Sequence, residues 1–203
     1  ADDAAFIVEN CGAKLWILSE AKAEIAAHLC KTSPITDRYI IGATIDGCES
    51  WNAAAAAQPE TRIADEAQGL DMLYSSGTTG RPKGVKWEQA DEPAGGRTML
   101  AGLLGDLFSY TADTRYLSPA PLYHAAPLRH TMTVIKLGGQ VTVMQKFNEE
   151  RALKLIEAER ITHSQWVPTM FIRMLKLPDD VRLTYDCSSL QIAIHAAAAC
   201  PVV

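Results

Sequence analysis

Several features that would identify common classes of protein are missing from this chain of 203 residues. It has no run of about 18 or more apolar residues, so the sequence predicts no membrane-spanning helix. Residues 1–5 also lack the basic and apolar regions of a signal peptide. There is no cluster of lysine and arginine, and the formal net charge is −5, which argues against a nucleic-acid partner. The composition is that of a globular protein.

The cysteines form no recognisable pattern. They are five in number and widely scattered, and none belongs to a Cys-x-x-Cys pair. The sequence therefore predicts neither a disulfide framework nor a zinc site, and a reducing, cytoplasmic location fits best. The cysteines are Cys11, Cys30, Cys48, Cys187 and Cys200.

Two glycine-rich nucleotide-binding motifs are absent, but a third kind of glycine-rich segment is present. The chain has no Gly-x-Gly-x-x-Gly of a dinucleotide fold. At residues 74–85, YSSGTTGRPKGV, Pro82 stands five residues after Gly77 and Lys83 is followed by Gly84, which excludes a P-loop. Glycines bring backbone N–H groups close to a ligand, and Lys83 adds a mobile positive charge. The segment therefore predicts a phosphate-binding turn.

The flanks of this turn, residues 71–74 and 85–87, predict two strands joined by the turn rather than a strand that leads into a helix. An ordinary hairpin loop is the alternative, although Pro82 beside Lys83 is unusual in a plain turn. The residues predicted to bind nucleotide here are Ser75, Ser76, Gly77, Thr78, Thr79, Gly80 and Lys83.

The rest of the chain alternates between predicted strands and predicted helices. Strands are expected at residues 14–18, 38–45, 116–118, 140–144, 161–167 and 190–194, with the first and last of them buried. Helices are expected at residues 2–10, 20–30 with Ser19 as N-cap, 50–57, 97–110, 125–137 and 149–159, and from Pro168. This order predicts an α/β fold of parallel-rich sheets flanked by helices in βαβ units. We divide it into residues 1–69 and residues 70–203.

His124 is a candidate for ligand contact. It follows Tyr123, lies between prolines and stands at the start of a predicted helix, where the helix dipole opposes protonation of the ring. A capping or core histidine is the alternative interpretation. His28, His130 and His163 are expected to be structural.

The turn at residues 74–85 resembles the signature loop of the adenylate-forming superfamily, which includes acyl-CoA and aryl-CoA synthetases, luciferases and peptide-synthetase adenylation domains. Its pattern is an aromatic, two hydroxyl residues, Gly, two hydroxyl residues, Gly, any residue, Pro, Lys, Gly, and this chain matches it throughout. Tyr123 and His124 resemble the next motif of the superfamily. The histidine of that motif lies near the carboxylate and acyl group of the substrate.

Two further segments resemble the same superfamily. Ala197 and Ala198 match a small-residue turn that packs against adenine, although Ala196 stands where Gly is usual and Ala199 where Pro is usual. The passage at residues 162–169 resembles a strand end and helix start that help wall the acyl tunnel. By this resemblance Trp166 and Met170 contact substrate, and their alternative role is plain core.

The resemblance implies part of the large N-terminal domain of an AMP-forming acyl-CoA synthetase. Such an enzyme activates a small-molecule carboxylic acid, here expected to be a fatty or related acyl acid, with ATP and Mg²⁺ and passes the acyl group to coenzyme A, with Lys83 and His124 in catalytic roles. Both ends look cut from a longer chain, and the C-terminal domain with its catalytic lysine is absent. We therefore expect the chain alone to be nearly inactive. A luciferase-like enzyme, a peptide-synthetase adenylation domain and a non-catalytic nucleotide-binding module are the alternatives.

Overall fold

The computed structural model describes residues 2–75, 80–88, 94–96, 98–196 and 198–199. The chain divides into two compact units, residues 1–94 and residues 95–203. The strands that flank the predicted phosphate-binding turn belong to the first unit, whereas we grouped them by sequence with residues 70–203.

The first unit contains a three-stranded parallel sheet in the order β1-β2-β3. Its strands are β1 Leu15–Ser19, β2 Asp37–Ile41 and β3 Glu49–Ser50, and its helices are α1 Asp2–Asn10, α2 Ala23–Thr32 and α3 Trp51–Ala56. Helix α3 begins where the sequence predicts, because the Ser50 side chain accepts a hydrogen bond from the Ala53 N–H.

The start of α2 and the burial of β1 differ from expectation. Ser19 precedes a short 3-10 helix, Glu20–Lys22, and its side chain makes no capping hydrogen bond within the described part of the chain. Strand β1 was expected to be buried, but Leu15 and Ile17 are exposed and only Trp16 is fully buried. The reason is that the buried residues of α2 cover one face of β1, which turns alternate side chains toward the core.

Two short antiparallel strands complete the first unit, β4 Leu73–Ser75 and β5 Lys83–Val85. The predicted hairpin is confirmed, but β5 begins at Lys83 rather than at Val85. Lys83 is therefore part of a strand and not of the turn.

The second unit contains a four-stranded sheet in the order β7-β6-β8-β9, in which each pair is parallel. Its strands are β6 Arg115–Ser118, β7 Gln140–Val143, β8 His163–Trp166 and β9 Ile192–His195. Its helices are α4 Met99–Phe108, α5 Ala125–Lys136, α6 Glu149–Ala158, α7 Pro168–Leu175 and α8 Asp179–Arg182. The predicted parallel α/β architecture is confirmed.

The two faces of this sheet carry different cores. On one face, Leu117 and Trp166 pack with Ile156 of α6 and Met170 of α7. On the other face, Tyr116 packs beneath α4 and α5 in a smaller cluster with Tyr110 and Val134. Successive residues of β6 and β8 therefore alternate between an apolar core and a more polar one.

One prediction of burial in the second unit is wrong, and one helix is more exposed than its apolar residues suggest. Strand β9 was expected to be buried, but its residues alternate between half-buried and exposed because it lies at the edge of the sheet. Helix α4 shows the expected periodicity, yet Met99 is 86% exposed and Leu103 and Leu107 are exposed too. Its buried residues are Ala101 and Gly105, so α4 packs through its small side chains.

The helices of the described residues are all too short or too polar to cross a lipid bilayer.

Candidate functional site

The β4–β5 hairpin presents a lysine and a serine side by side. Ser75 lies directly across the two strands from Lys83, and Tyr74 lies across from Gly84. Because side chains alternate along a strand and paired residues share a face, Ser75 and Lys83 lie on the face opposite to Tyr74. Both Ser75 and Lys83 are exposed.

The other face of the hairpin is held against α1. The Tyr74 hydroxyl donates a hydrogen bond of 2.6 Å to Asn10 Oδ1. The guanidinium carbon of Arg81 lies 5.2 Å from the centre of the Phe6 ring, which is a cation–π contact. These two contacts hold the hairpin to α1, one through Tyr74 of β4 and one through Arg81 just before β5. The face that carries Ser75 and Lys83 stays exposed to solvent.

Lys83 makes no ion pair within the described residues. Gly80 adopts a φ of +97°, and in the described structure nothing lies within 4 Å of the place a Cβ would take. This is a backbone conformation that glycine reaches easily and that allows close approach of a ligand. Of the predicted nucleotide-binding residues, Ser76, Gly77, Thr78 and Thr79 lie outside the described residues.

His124 occupies the N-cap position of α5, with extended backbone dihedrals. Its side chain makes no capping hydrogen bond within the described residues, so the capping alternative is not realised. The ring lies 4.4 Å from the exposed ring of Tyr123, measured between centroids, and is itself exposed. His124 is therefore presented by the loop that follows β6, at the carboxyl edge of the second sheet.

Ala198 lies at the same edge of that sheet. Strand β9 ends at His195, which pairs with Trp166 of β8, and Ala198 follows three residues later. Strands β6 and β9 are separated by β8 alone, so the loops that carry His124 and Ala198 leave the sheet about 10 Å apart. Ala197 lies outside the described residues.

The position of His124 in the fold is one that binds ligands in many α/β proteins. Strand β7 lies on one side of β6, whereas β8 and β9 lie on the other. The order of the strands thus reverses between β6 and β8, and crevices of this kind at the carboxyl ends of parallel strands are the usual ligand sites. The role of His124 in ligand contact stays a prediction.

Trp166 and Met170 lie in the core beneath α6 and α7. Trp166 is 1% exposed, and its ring contacts Phe147 and Phe171. Met170 is buried in the same cluster. Their assignment as substrate-binding residues stays a prediction, since both side chains already have apolar partners.

Sequence reasoning missed the polar residues buried on the α5 face. Tyr110, His130 and His163 form one cluster, in which the Tyr110 hydroxyl lies 2.9 Å from His130 Nδ1. His163 lies 3.1 Å from the Phe108 carbonyl through Nε2. Burial lowers the pKa of both histidines, and for His163 the Phe108 carbonyl opposes this shift. Both shifts favour the neutral form of the rings, and the expected structural role of the two histidines stays a prediction.

Four further side-chain oxygens on this face lack partners. In the described structure, Tyr116 Oη, Ser118 Oγ, Thr131 Oγ1 and Gln165 Oε1 are buried and make no hydrogen bond. The sequence signal that could have found them is modest: serine and glutamine at the last positions of predicted parallel strands, where polar residues face the carboxyl-edge crevice.

No group of three or more His, Cys, Asp or Glu side chains that could hold a metal ion occurs among the described residues. Mg²⁺, which the resemblance implies, has no ligand set in this part of the chain, and we assign it no ligand here.

Comparison with solved structures shows the same fold in adenylate-forming enzymes. The N-terminal domain of FACL13 from Mycobacterium tuberculosis matches 98% of this chain and 48% of its own, with a TM-score of 0.79 at 22% identity. ATP-bound MatB from Rhodopseudomonas palustris matches 96% of this chain and 37% of its own, with a TM-score of 0.68 at 25% identity.

Comparison with curated proteins finds CoA ligases. The medium/long-chain-fatty-acid–CoA ligase FadD8 of Mycobacterium tuberculosis is 38% identical over 149 residues, which cover 72% of this chain and 25% of that protein. A 4-coumarate–CoA ligase of Pinus taeda is 29% identical over 183 residues, 86% of this chain and 34% of that protein. The chain thus spans between a quarter and about a third of these relatives. The model of the AMP-binding enzyme family matches residues 1–203, and the chain belongs to that family.

Proposed function

We propose that this chain supplies the nucleotide-binding hairpin and the acid-binding edge of an AMP-forming acyl-CoA or aryl-CoA synthetase. The proposed enzyme joins the carboxylate of a small acid to the α-phosphate of ATP, with release of pyrophosphate. The thiol of coenzyme A then attacks the acyl carbon and AMP leaves. Family membership and the names of the relatives support this reaction, and the free cysteines among the described residues suit a reducing cytoplasm.

The observation that carries the proposal is the exposed pair of Ser75 and Lys83 on the open face of the hairpin. A polyphosphate bound beside β5 would receive the Lys83 ammonium as a charge-assisted donor and the Ser75 hydroxyl as a neutral one. Charge that develops on departing pyrophosphate would be stabilised by the same lysine. Removal of such a contact typically costs about 2.7–4 kcal/mol of barrier.

His124 has a different task in this proposal. It lies at the carboxyl edge of the second sheet with its ring free of a capping role, so it can orient the carboxylate of the acid. Trp166 and Met170 lie in the core beneath α6 and α7. We propose that they form part of the wall of the acyl site from that face of β8, as the resemblance implies. Ala197 and Ala198 are proposed to lie against the adenine.

The experiment is a nucleotide titration of the purified chain, read by its melting temperature. Because the chain spans only part of its relatives, we expect binding of ATP without turnover, and robust pyrophosphate release would contradict that expectation. Stabilisation should be about 1.4 kcal/mol at an ATP concentration ten times the Kd.

Two matched variants locate the binding. Lys83→Ala should weaken ATP binding by about 10- to 100-fold, as expected for loss of a hydrogen bond from a charged group. Lys86→Ala removes the same charge three residues away, just beyond β5, and should leave the affinity within about twofold. Equal losses in the two variants would show a general charge effect and would count against the hairpin as the phosphate site.

A further inference from the structure

Ser118 and Gln165 are neighbours across β6 and β8. Leu117 pairs with Ser164, so the next residue along each parallel strand lies beside the other with its side chain on the same face. That face is covered by α5, because the Tyr116 ring, two residues before Ser118, stacks on an α5 histidine at 6.3 Å between centroids. Two residues distant in sequence are thus brought together beneath one helix.

Four polar atoms beneath α5 lack hydrogen bonds in the described part of the chain: Tyr116 Oη, and one atom each in Ser118, Thr131 and Gln165. Ser118 is 0% and Gln165 is 2% exposed, and Thr131 is buried on the α5 stripe that faces the sheet. Within the described residues, Ser118 Oγ, Thr131 Oγ1 and Gln165 Oε1 have no partner. Buried polar atoms without partners are rare in native proteins, since each loses its hydration without replacement. We call Ser118, Thr131 and Gln165 the switch-point cluster.

The unpaired donors and acceptors of this cluster determine which chemical groups of a ligand could satisfy it. Gln165 Nε2 donates a hydrogen bond of 2.8 Å to the Trp166 carbonyl, which fixes the amide and leaves Oε1 as an acceptor. The Ser118 and Thr131 hydroxyls can each donate or accept. A partner that satisfies the cluster must therefore donate one hydrogen bond and accept another. A hydroxyl group does both, a ketone only accepts, and a hydrocarbon does neither.

The cluster lies where a ligand would enter. Ser118 and Gln165 stand at or next to the carboxyl ends of β6 and β8, on either side of the point where the strand order reverses. His124 belongs to the loop that leaves β6 directly after Ser118. An acid whose carboxylate lies near His124 would thus extend its distal part toward the space between α5 and the sheet.

We propose that the acid bound by this chain carries a hydroxyl group, which donates to Gln165 Oε1 and accepts from Ser118 Oγ. This inference rests on the proposed function, because it assigns the substrate class of the same acid-binding edge. The three atoms are closed to solvent in the free chain, so the ligand must displace α5 outward. Their missing hydrogen bonds lower the cost of that displacement, since a polar ligand restores them.

The test is calorimetric titration of the 203-residue chain with three matched acids, cyclohexanecarboxylate and its 4-oxo and 4-hydroxy derivatives. We expect the hydroxy acid to bind at least about 10-fold more tightly than the unsubstituted acid, with the oxo acid between them. Gln165→Met and Ser118→Ala should each abolish this preference without lowering the melting temperature. Gln140→Met, an exposed substitution on β7, should keep the preference.

Each other outcome overturns the inference. Equal affinities in the wild type, no binding of any acid, or a preference that survives in both Gln165→Met and Ser118→Ala would show that the switch-point cluster does not contact substrate. A parallel titration with ATP separates this failure from that of the proposed function. If ATP binds and no hydroxyl preference appears, the inference alone is wrong. If the hydroxy acid is preferred and ATP does not bind, the proposed function is wrong.

Discussion

Tyr74 lies across the β4–β5 hairpin from Gly84 and occupies the space that a side chain at Gly84 would need. A Cβ built on Gly84 would lie 2.9 Å from Tyr74 Cζ and 2.6 Å from Met72 Cε. The same Tyr74 bonds Asn10 of α1 through its hydroxyl. The glycine at position 84 of the phosphate-binding signature therefore leaves room for the tyrosine that holds the hairpin against α1.

Gly84→Ala should destabilise the chain by about 1–3 kcal/mol, because the added methyl overlaps Tyr74 and Met72. The measurement is the free energy of unfolding in urea. Gly69→Ala is the matched control, since no described atom lies within 4 Å of a Cβ at Gly69 and its φ is not left-handed. We expect that control to be neutral or slightly stabilising. An equal loss in both variants would show that the Tyr74 contact is unimportant.

The buried histidines should make stability depend on pH. Burial lowers the pKa of His130 and His163 in the folded chain, so the unfolded chain binds protons first as the pH falls. Their contribution is fully present above the unfolded histidine pKa of about 6.5 and is lost as the pH falls below it. The loss should not exceed about 1.4 kcal/mol per pH unit for each histidine.

Urea unfolding between about pH 7.5 and pH 5 measures this slope. The double variant His130→Gln/His163→Gln should flatten the profile. A profile that remains equally steep in the double variant would assign the pH dependence to other groups.

Cys30 and Cys48 should form a disulfide when oxidised. Their Sγ atoms lie 3.5 Å apart, and burial, together with the neighbouring Cys30, raises the pKa of Cys48 to about 11. Oxidised glutathione would accept the two electrons and leave as two thiols. Because thiolate is the reactive form, the rate should rise with pH between about pH 7 and pH 9.

Mass spectrometry should find a peptide that links Cys30 to Cys48, with loss of two hydrogens. Cys48→Ser should abolish this product, and Cys187→Ser should not affect it. Stable glutathione adducts on Cys30 or Cys48 in the wild type would instead show that the two sulfurs do not meet in solution.

The side chain of Asn148 should stabilise α6. It accepts a hydrogen bond of 2.9 Å from the Arg151 N–H at the start of the helix. Asn148→Ala should cost about 1 kcal/mol of unfolding free energy. Asn148→Asp keeps an acceptor at the same place and should cost much less. If both substitutions destabilise the chain equally, the hydrogen bond is not the source of the effect.

The order of strands and helices was predictable because it depends on local signals. Pro168 at the first position of α7 and Ser50 at the cap of α3 act through the backbone next to them, so their effects can be read without knowledge of the fold. The helical periodicity of α4 could also be predicted from the sequence. The sequence does not show which segment would cover the apolar face of α4, and Met99 is exposed although it fits the periodic pattern.

The candidate site was predictable where one segment carries it and unpredictable where two segments meet. The signature at residues 74–85 predicted the hairpin, whereas the site assignment of Tyr123 and His124 stays a prediction. The neighbouring positions of Ser118 and Gln165 depend on the pairing of β6 with β8, which is set by long-range packing of the sheet. Neither residue stands out in its own segment.

The central place of β6 has a consequence for the order of events during synthesis. Its first partner is β7, in which Gln140 pairs with Arg115, and β7 is synthesised only after α5. Its second partner is β8, in which His163 pairs with Tyr116, and β8 is synthesised only after α6. Until then both hydrogen-bonding edges of the Tyr116–Leu117 segment are bare. The nascent chain thus passes through a stage at which a strand whose Tyr116, Leu117 and Ser118 become fully buried is open to chaperones and to association with other chains.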